Sequence, residues 1–304
     1  MIRPAVLTDD FSATNSLPEK SDIWVLTAYF NPVGYRSRYR NFQIFRRSLN
    51  APLITVELSF NDSFELDPED STALIRRKSP DVMWQKERLL NIALSMVPEE
   101  CRYVVWIDCD VVIRSPSWIR RVREQLNQHQ MVQLYRKVAH VRKGTGKTTV
   151  ERKEVLFEET SVVSYIRGRD PEKPDLELTR SRRQRGLCNG MAWAARRNLL
   201  NAHGFYDGSI AGGGDTAIAS AAFGQMDAAI AYHGMNGDQI KYYLDWAAPF
   251  AKKDGFCMLS PDPKQQKPEQ YAPCALPRKN CPDAKRAPAP GARADLCDRV
   301  ETMS

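Results

Sequence analysis

Long apolar runs are missing from this 304-residue sequence. None approaches the roughly 20 residues that a bilayer-spanning helix needs. The first 20 residues are polar, with acids at Asp9, Asp10 and Glu19, unlike a secretory leader. A cytoplasmic location without a membrane span is therefore expected. Paired cysteines are also missing. The seven cysteines include no C-x-x-C: Cys101, Cys109 and Cys188 fall in core-like segments, while Cys257, Cys274, Cys281 and Cys297 stand at irregular gaps that do not support a zinc site. Charge of one sign is scarce outside one stretch. Residues 136–186 hold 14 Lys and Arg against 8 Asp and Glu, so most of the net +7 lies there and the remainder is nearly neutral. That excludes a nucleic-acid binder using its whole surface and leaves the basic insert as the one element able to act so. With Phe157 and Tyr165 as its inner aromatics, the insert lacks stacking platforms, and binding to nucleic acid is not expected.

What is present is an ordinary globular composition, 42% hydrophobic and 27% charged, enough for one large α/β core. Ile23 to Phe30 reads as a first strand stopped by Asn31-Pro32-Val33-Gly34, and Arg38 to Leu49 as a helix carrying Phe42, Phe45 and Leu49 on one face. Pro52 to Leu58 reads as a second strand. This β-α-β start predicts a mostly parallel central sheet flanked by helices. Ala73 to Ile75 is a candidate short strand. Val82 to Leu94 is a helix with Leu89, Ile92, Ala93 and Met96 on one face. Lys86 and Arg88 at its start run against the helix dipole, so they either reach into water or meet an anionic partner such as a diphosphate. Later segments read as a helix to about Asn127, a strand at Met131 to Tyr135, a strand-like run at Leu187 to Arg197, and helices at 217–223 and 238–250.

Tyr103 to Ile113 is an apolar run broken only by Asp108 and Asp110. Ionised carboxyls inside a dry strand cost several kcal/mol each unless paired or metal-bound, so both should stand where the strand leaves the sheet. That edge is where open α/β sheets bind ligands. On an extended backbone the two side chains face the same way and can share a cation. An oxygen-only pair implies Mg²⁺ or Mn²⁺, unless the acids simply cap a solvated turn. Downstream, Gly212-Gly213-Gly214-Asp215 combines three glycines, which let backbone approach a ligand closely, with an aspartate able to cap the next helix. Gly144-Thr145-Gly146-Lys147-Thr148 imitates the end of a phosphate-binding loop, but Val141 stands where the first glycine belongs.

The order of these features resembles the nucleotide-sugar-dependent glycosyltransferases of the GT-A fold. Trp106-Ile107-Asp108-Cys109-Asp110 stands as a DxD motif. Asn189-Gly190-Met191-Ala192-Trp193-Ala194, Gly204-Phe205-Tyr206-Asp207 and Gly212 to Asp215 are similar to the Gly-Gly-acid region of β-1,4-galactosyltransferases and polypeptide N-acetylgalactosaminyltransferases. The resemblance implies a single Rossmann-like GT-A domain over residues 21–252, interrupted by a basic, mobile insert at 136–186. It leaves a flexible tail at 1–20 and a Pro/Lys/Ala-rich, unfolded tail at 253–304. It implies a hexosyltransferase-like enzyme with a UDP- or GDP-linked sugar donor and a glycan or other hydroxyl acceptor.

By the same resemblance, Asp108 contacts the ribose or metal and Asp110 holds Mn²⁺ or Mg²⁺ on the diphosphate. Thr27, Tyr29 and Asn31 line the base, Lys86 or Arg88 neutralises phosphate, and Gly213 and Gly214 adjoin the donor. Asp215 serves as general base if the reaction inverts, or positions the acceptor if it retains. Many members supply a third metal ligand, commonly histidine, after the last core helix. Here only His233 follows the glycine-acid block. It is either that ligand or an exposed loop histidine; the alternatives to an active transferase are a catalytically inactive homologue and a nucleic-acid-associated protein acting through the basic insert.

Overall fold

The computed structural model describes residues 8–10, 21–83, 85–142, 152–167, 186–209, 211–251 and 274–275. In chain order the strands and α-helices are β1 (Thr8–Asp10), β2 (Ile23–Phe30), α1 (Arg36–Ser48), β3 (Leu53–Ser59), β4 (Ala73–Lys78), α2 (Lys86–Ser95), β5 (Tyr103–Ile107), β6 (Val111–Val112), α3 (Trp118–Leu126), β7 (Met131–Gln133), β8 (Lys137–Val141), β9 (Val155–Ser161), α4 (Val162–Arg167), β10 (Leu187–Cys188), β11 (Ala192–Arg196), α5 (Arg197–His203), α6 (Gly214–Ala222), α7 (Met226–His233), α8 (Gly237–Ala251) and β12 (Cys274–Ala275).

The main sheet has the order β1-β4-β3-β2-β5-β11-β7. Strands β4, β3, β2 and β5 are mutually parallel, β11 runs antiparallel between β5 and β7, and β1 pairs antiparallel with β4. The result is the expected α/β domain with a mostly parallel central sheet. Strands β2 and β3 are buried at every position, as continuous apolar runs in a sheet covered on both faces must be.

Alternation along the strands builds two cores. One face carries Trp24, Leu26, Ala28 and Phe30 with Trp106 and Trp193, packed by Leu89, Leu90 and Ala93 of α2 and by residues of α5, α6, α7 and α8. The other carries Ile23, Val25, Tyr29 and Val105, packed by Phe42 and Phe45 of α1 and by Trp118, Val122 and Leu126 of α3. Trp106 and Trp193 stack at 6.4 Å, with Phe205 edge-on to Trp106. Among the described residues, no helix is long and apolar enough to cross a membrane.

Three expectations change. The acidic run is not one strand: β5 stops at Ile107, the backbone turns over 108–110 with Val111 N–H donating to Asp108 O at 3.0 Å, and β6 joins a second sheet. The turn keeps the Asp108 side chain partly exposed, while Asp110 is buried beside it outside the main sheet. Part of the basic insert is ordered: β8 and β9 form an antiparallel pair in the second sheet, order β10-β9-β8-β12-β6, and α4 follows. His233 is not in a loop. It ends α7 and is half-buried. The phosphate-loop imitation at 144–148 lies outside the described residues, as do most of the two expected tails.

Candidate functional site

Helix α2 organises the site. Its first turn brings Lys86 and Glu87 inward above the apolar positions Leu89, Leu90 and Ala93, all buried. The Lys86 ammonium lies 2.8 Å from Asp108 Oδ1 and 3.0 Å from Asp215 Oδ2. It thus ties the end of β5 to the first turn of α6, which the sequence separates by more than a hundred residues. Lys86 is 8% exposed. Burial alone would pull its pKa down; Asp108, Asp215 and Glu87 outweigh that and hold it above the ordinary lysine range. The anionic partner expected for Lys86 is therefore inside the protein. Arg88, two residues along the helix, is exposed and near Tyr242 of α8, whose hydroxyl donates to Asp207 Oδ1 at 2.8 Å.

Glycines make the convergence possible. A Cβ on Gly190 would stand 2.4 Å from Asp215 Oδ2, and one on Gly214 would stand 2.3 Å from Glu87 Oε1. Gly213 adopts φ +90°, caps α6 in the left-handed region, and lies against the His233 ring. Met191 holds φ +78°, unusual for a buried non-glycine residue, and its carbonyl accepts the Asp108 N–H at 2.8 Å. Asn91 of α2 clamps the 204–205 turn, accepting from Phe205 N–H at 2.7 Å and donating to Phe205 O at 3.0 Å.

Asp108 and Asp110 both line a cleft at the C-terminal edge of the parallel strands, with Ala28, Phe30, Arg38, Leu90 and Trp106. The cleft is partly open to solvent. Asp110 is 4% exposed. The Arg38 guanidinium lies over the Phe30 ring, 5.2 Å from its centroid.

Thr27, Tyr29 and Asn31 are not among the residues that line this cleft. Thr27 is fully buried and donates to Ile107 O at 2.7 Å. The Tyr29 hydroxyl meets Glu65 Oε2 at 2.5 Å, and Asn31 Nδ2 donates to the same oxygen at 2.8 Å. Odd positions of β2 face α1, whereas the cleft opens on the even side, at Ala28 and Phe30. The His233 ring lies against Gly213, two residues before Asp215, and is not among the residues that line the cleft. Among the described residues, no group of three or more His, Cys, Asp or Glu side chains is arranged to hold a metal.

Three contributors escape a sequence reading. Gly190 is marked only as a member of the 189–194 run, with no role of its own, Glu87 looks like a favourable first-turn acid, and Arg38 like one of several surface arginines of α1.

No family model and no curated protein matches this sequence. Among solved structures the chain is similar to the mannosyltransferase PcManGT from Pyrobaculum calidifontis in complex with GDP-Man and Mn²⁺. The identity is 14% and the TM-score 0.35, over 76% of this chain. The match spans 56% of the mannosyltransferase chain, little more than half its length. The chain is also similar to a putative glucose-1-phosphate thymidylyltransferase from Bacillus anthracis in complex with a sucrose. Here the identity is 11% and the TM-score 0.29, over 73% of this chain and 82% of that one. At such identities and TM-scores, the two likenesses say nothing of this chain's chemistry.

Proposed function

We propose that this protein is a metal-assisted glycosyltransferase that moves a sugar from a UDP- or GDP-linked donor to an acceptor hydroxyl. The observation that carries the reading is the meeting of Asp108 and Asp215 on Lys86, beside a cleft that Asp108 shares with Asp110. Asp215 is the candidate base that takes the proton from the acceptor hydroxyl during attack on the anomeric carbon. Lys86 holds that carboxylate against the donor side of the cleft.

The donor set fits a divalent ion. Asp108 and Asp110 offer hard oxygens, and Mg²⁺ commonly takes one or two carboxylates, completing its shell with water and substrate phosphate. Formal charge agrees: Asp108, Asp110, Asp215 and Glu87 stand in and beside the cleft against Lys86 and Arg38, an excess of two negative charges. Bound there, the ion would supply Lewis-acid stabilisation of the departing nucleoside diphosphate. One observation favours a second reading. Lys86 already places a cation on Asp108, which suits a metal-independent enzyme or an inactive binder of the same ligand.

A thermal-shift panel of UDP- and GDP-sugars with Mn²⁺ or EDTA separates these. The first reading expects Mn²⁺-dependent stabilisation, about 2.7 kcal/mol at a hundredfold excess over Kd. Asp110→Ala should abolish that shift without lowering the ligand-free melting temperature. A shift undiminished by EDTA supports the second reading. No shift with any sugar nucleotide under either condition overturns both.

A further inference from the structure

The two cations that line the cleft are in different states. Lys86 is committed to Asp108 and Asp215. Arg38, from the first turn of α1, faces the same cleft with no carboxylate against it among the described residues. What it rests on there is the Phe30 ring. Phe30 is buried at the end of β2, so the guanidinium lies over a fixed platform. Arg38 Nε is sealed from solvent and finds no acceptor. A buried donor without an acceptor is costly, and beside an open cleft a bound anion is one partner that would complete it. Nε is buried and Cζ lies over the ring, while the residue itself lines the cleft, so the cleft is where a ligand could reach its remaining N–H groups.

We propose that Arg38 is the anion-recognition residue of this cleft and takes phosphate oxygens of the donor's diphosphate. A planar guanidinium held on a ring can give two parallel N–H···O bonds to phosphate, which a lysine in its place cannot do. The identity of the anion rests on the transferase reading; the presence of an anion site on Arg38 does not. The division of labour is then plain: Lys86 holds the protein's own carboxylates in place, and Arg38 meets the charge that arrives with the ligand.

The test is calorimetric titration of the full chain in Mg²⁺ with UDP, GDP, uridine, guanosine and inorganic pyrophosphate, on wild type, Arg38→Lys and Arg38→Met. Melting temperatures check that the variants fold. The expected result is that Arg38→Met weakens the preferred nucleoside diphosphate by about 10- to 100-fold, the range for a lost charged hydrogen bond. The matching nucleoside should bind as before. Arg38→Lys should fall between, because it keeps the charge and loses the fork. If Arg38 only covers Phe30, melting temperature moves and the ratio of diphosphate to nucleoside affinity does not.

Wild type that binds a nucleoside diphosphate no better than Arg38→Met, within about twofold, overturns the assignment and leaves the transferase reading intact. Pyrophosphate bound through Arg38 with no nucleotide bound upholds the anion site and removes the transferase reading. Binding of neither removes both.

Discussion

On either side of β2 a carboxylate is withdrawn from bulk solvent, Glu57 fully and Asp108 with its side chain 20% exposed, and the two are held by opposite means. Glu57 of β3 is 2% exposed and accepts the backbone N–H groups of Glu65 at 2.5 Å and Leu66 at 3.1 Å, with Arg76 Nε 3.7 Å from its second oxygen. Its backbone partners lie eight and nine residues away and close one loop onto the sheet. Asp108, beyond the end of β5, is held by an ammonium from α2 that also grips Asp215. The first arrangement is local, faces the interior and is closed to solvent, although Glu57 Oε2 finds no hydrogen bond there. The second is assembled from long side chains and glycine gaps, and opens on a cleft. Buried charge alone therefore does not mark a site; what matters is whether backbone or mobile side chains compensate it.

The largest expected effect is on that distinction. Lys86→Met leaves two aspartates facing each other with Glu87 behind, and loss of one partner of a buried ion pair costs about 3 kcal/mol or more. Arg76→Met leaves Glu57 its two backbone donors and should cost about 1 kcal/mol. Urea denaturation measures both. Excess Mg²⁺ should recover part of the Lys86→Met loss and none of the Arg76→Met loss. Equal losses with no response to Mg²⁺ would erase the contrast.

Next in size is Gly190→Ala. A methyl 2.4 Å from Asp215 Oδ2 must push the carboxylate off Lys86. Transfer activity should fall about tenfold or more, since a displacement of order 1 Å can cost far more than that. Stability should fall by about 1–2 kcal/mol from overpacking. Gly224→Ala is the control: its φ of +69° carries a conformational cost of about 1 kcal/mol, but nothing lies within 4 Å, so activity should hold.

The same distinction separates what the sequence discloses from what it does not. The parallel sheet is legible, because strands buried on both faces have to be unbroken runs such as Ile23 to Phe30. The departure of Asp108 and Asp110 from the sheet is legible from the cost of burying charge, although the turn that breaks the run there is not. The face of β2 that meets the cleft is not legible either. In a strand apolar on both sides, alternation carries no label, so Thr27 and Tyr29 look as available as Ala28 and Phe30. Lys86 stands out as misplaced against the helix dipole, yet its partner at position 215 comes only from tertiary structure. His233 looks like a loop residue because α7, rich in alanine, shows little apolar periodicity.

The smallest effects are in pH dependence, and they have opposite signs for two half-satisfied groups. Burial raises the Glu57 pKa above its ordinary 4.5, and the backbone bonds and Arg76 offset that only in part. Its folded value exceeds its unfolded one, so the native chain holds the proton more tightly. The stability this contributes is complete below about pH 4.5 and is lost as pH rises through the folded value. Burial lowers the His233 pKa from 6.5, against a smaller opposing contribution from the Gly213 backbone. There the unfolded chain holds the proton more tightly, so stability is present above about pH 6.5 and is lost as pH falls through the folded value. Glu57→Gln should remove a downward slope above pH 4.5 in a plot of unfolding free energy against pH. His233→Gln should remove an upward slope ending near pH 6.5. Mn²⁺ should leave the His233 slope unchanged, because the ring packs on Gly213 and does not line the cleft of Asp108 and Asp110. A Mn²⁺-dependent flattening of that slope would put His233 back among the metal ligands and shift the boundary between the closed and the open parts of the molecule.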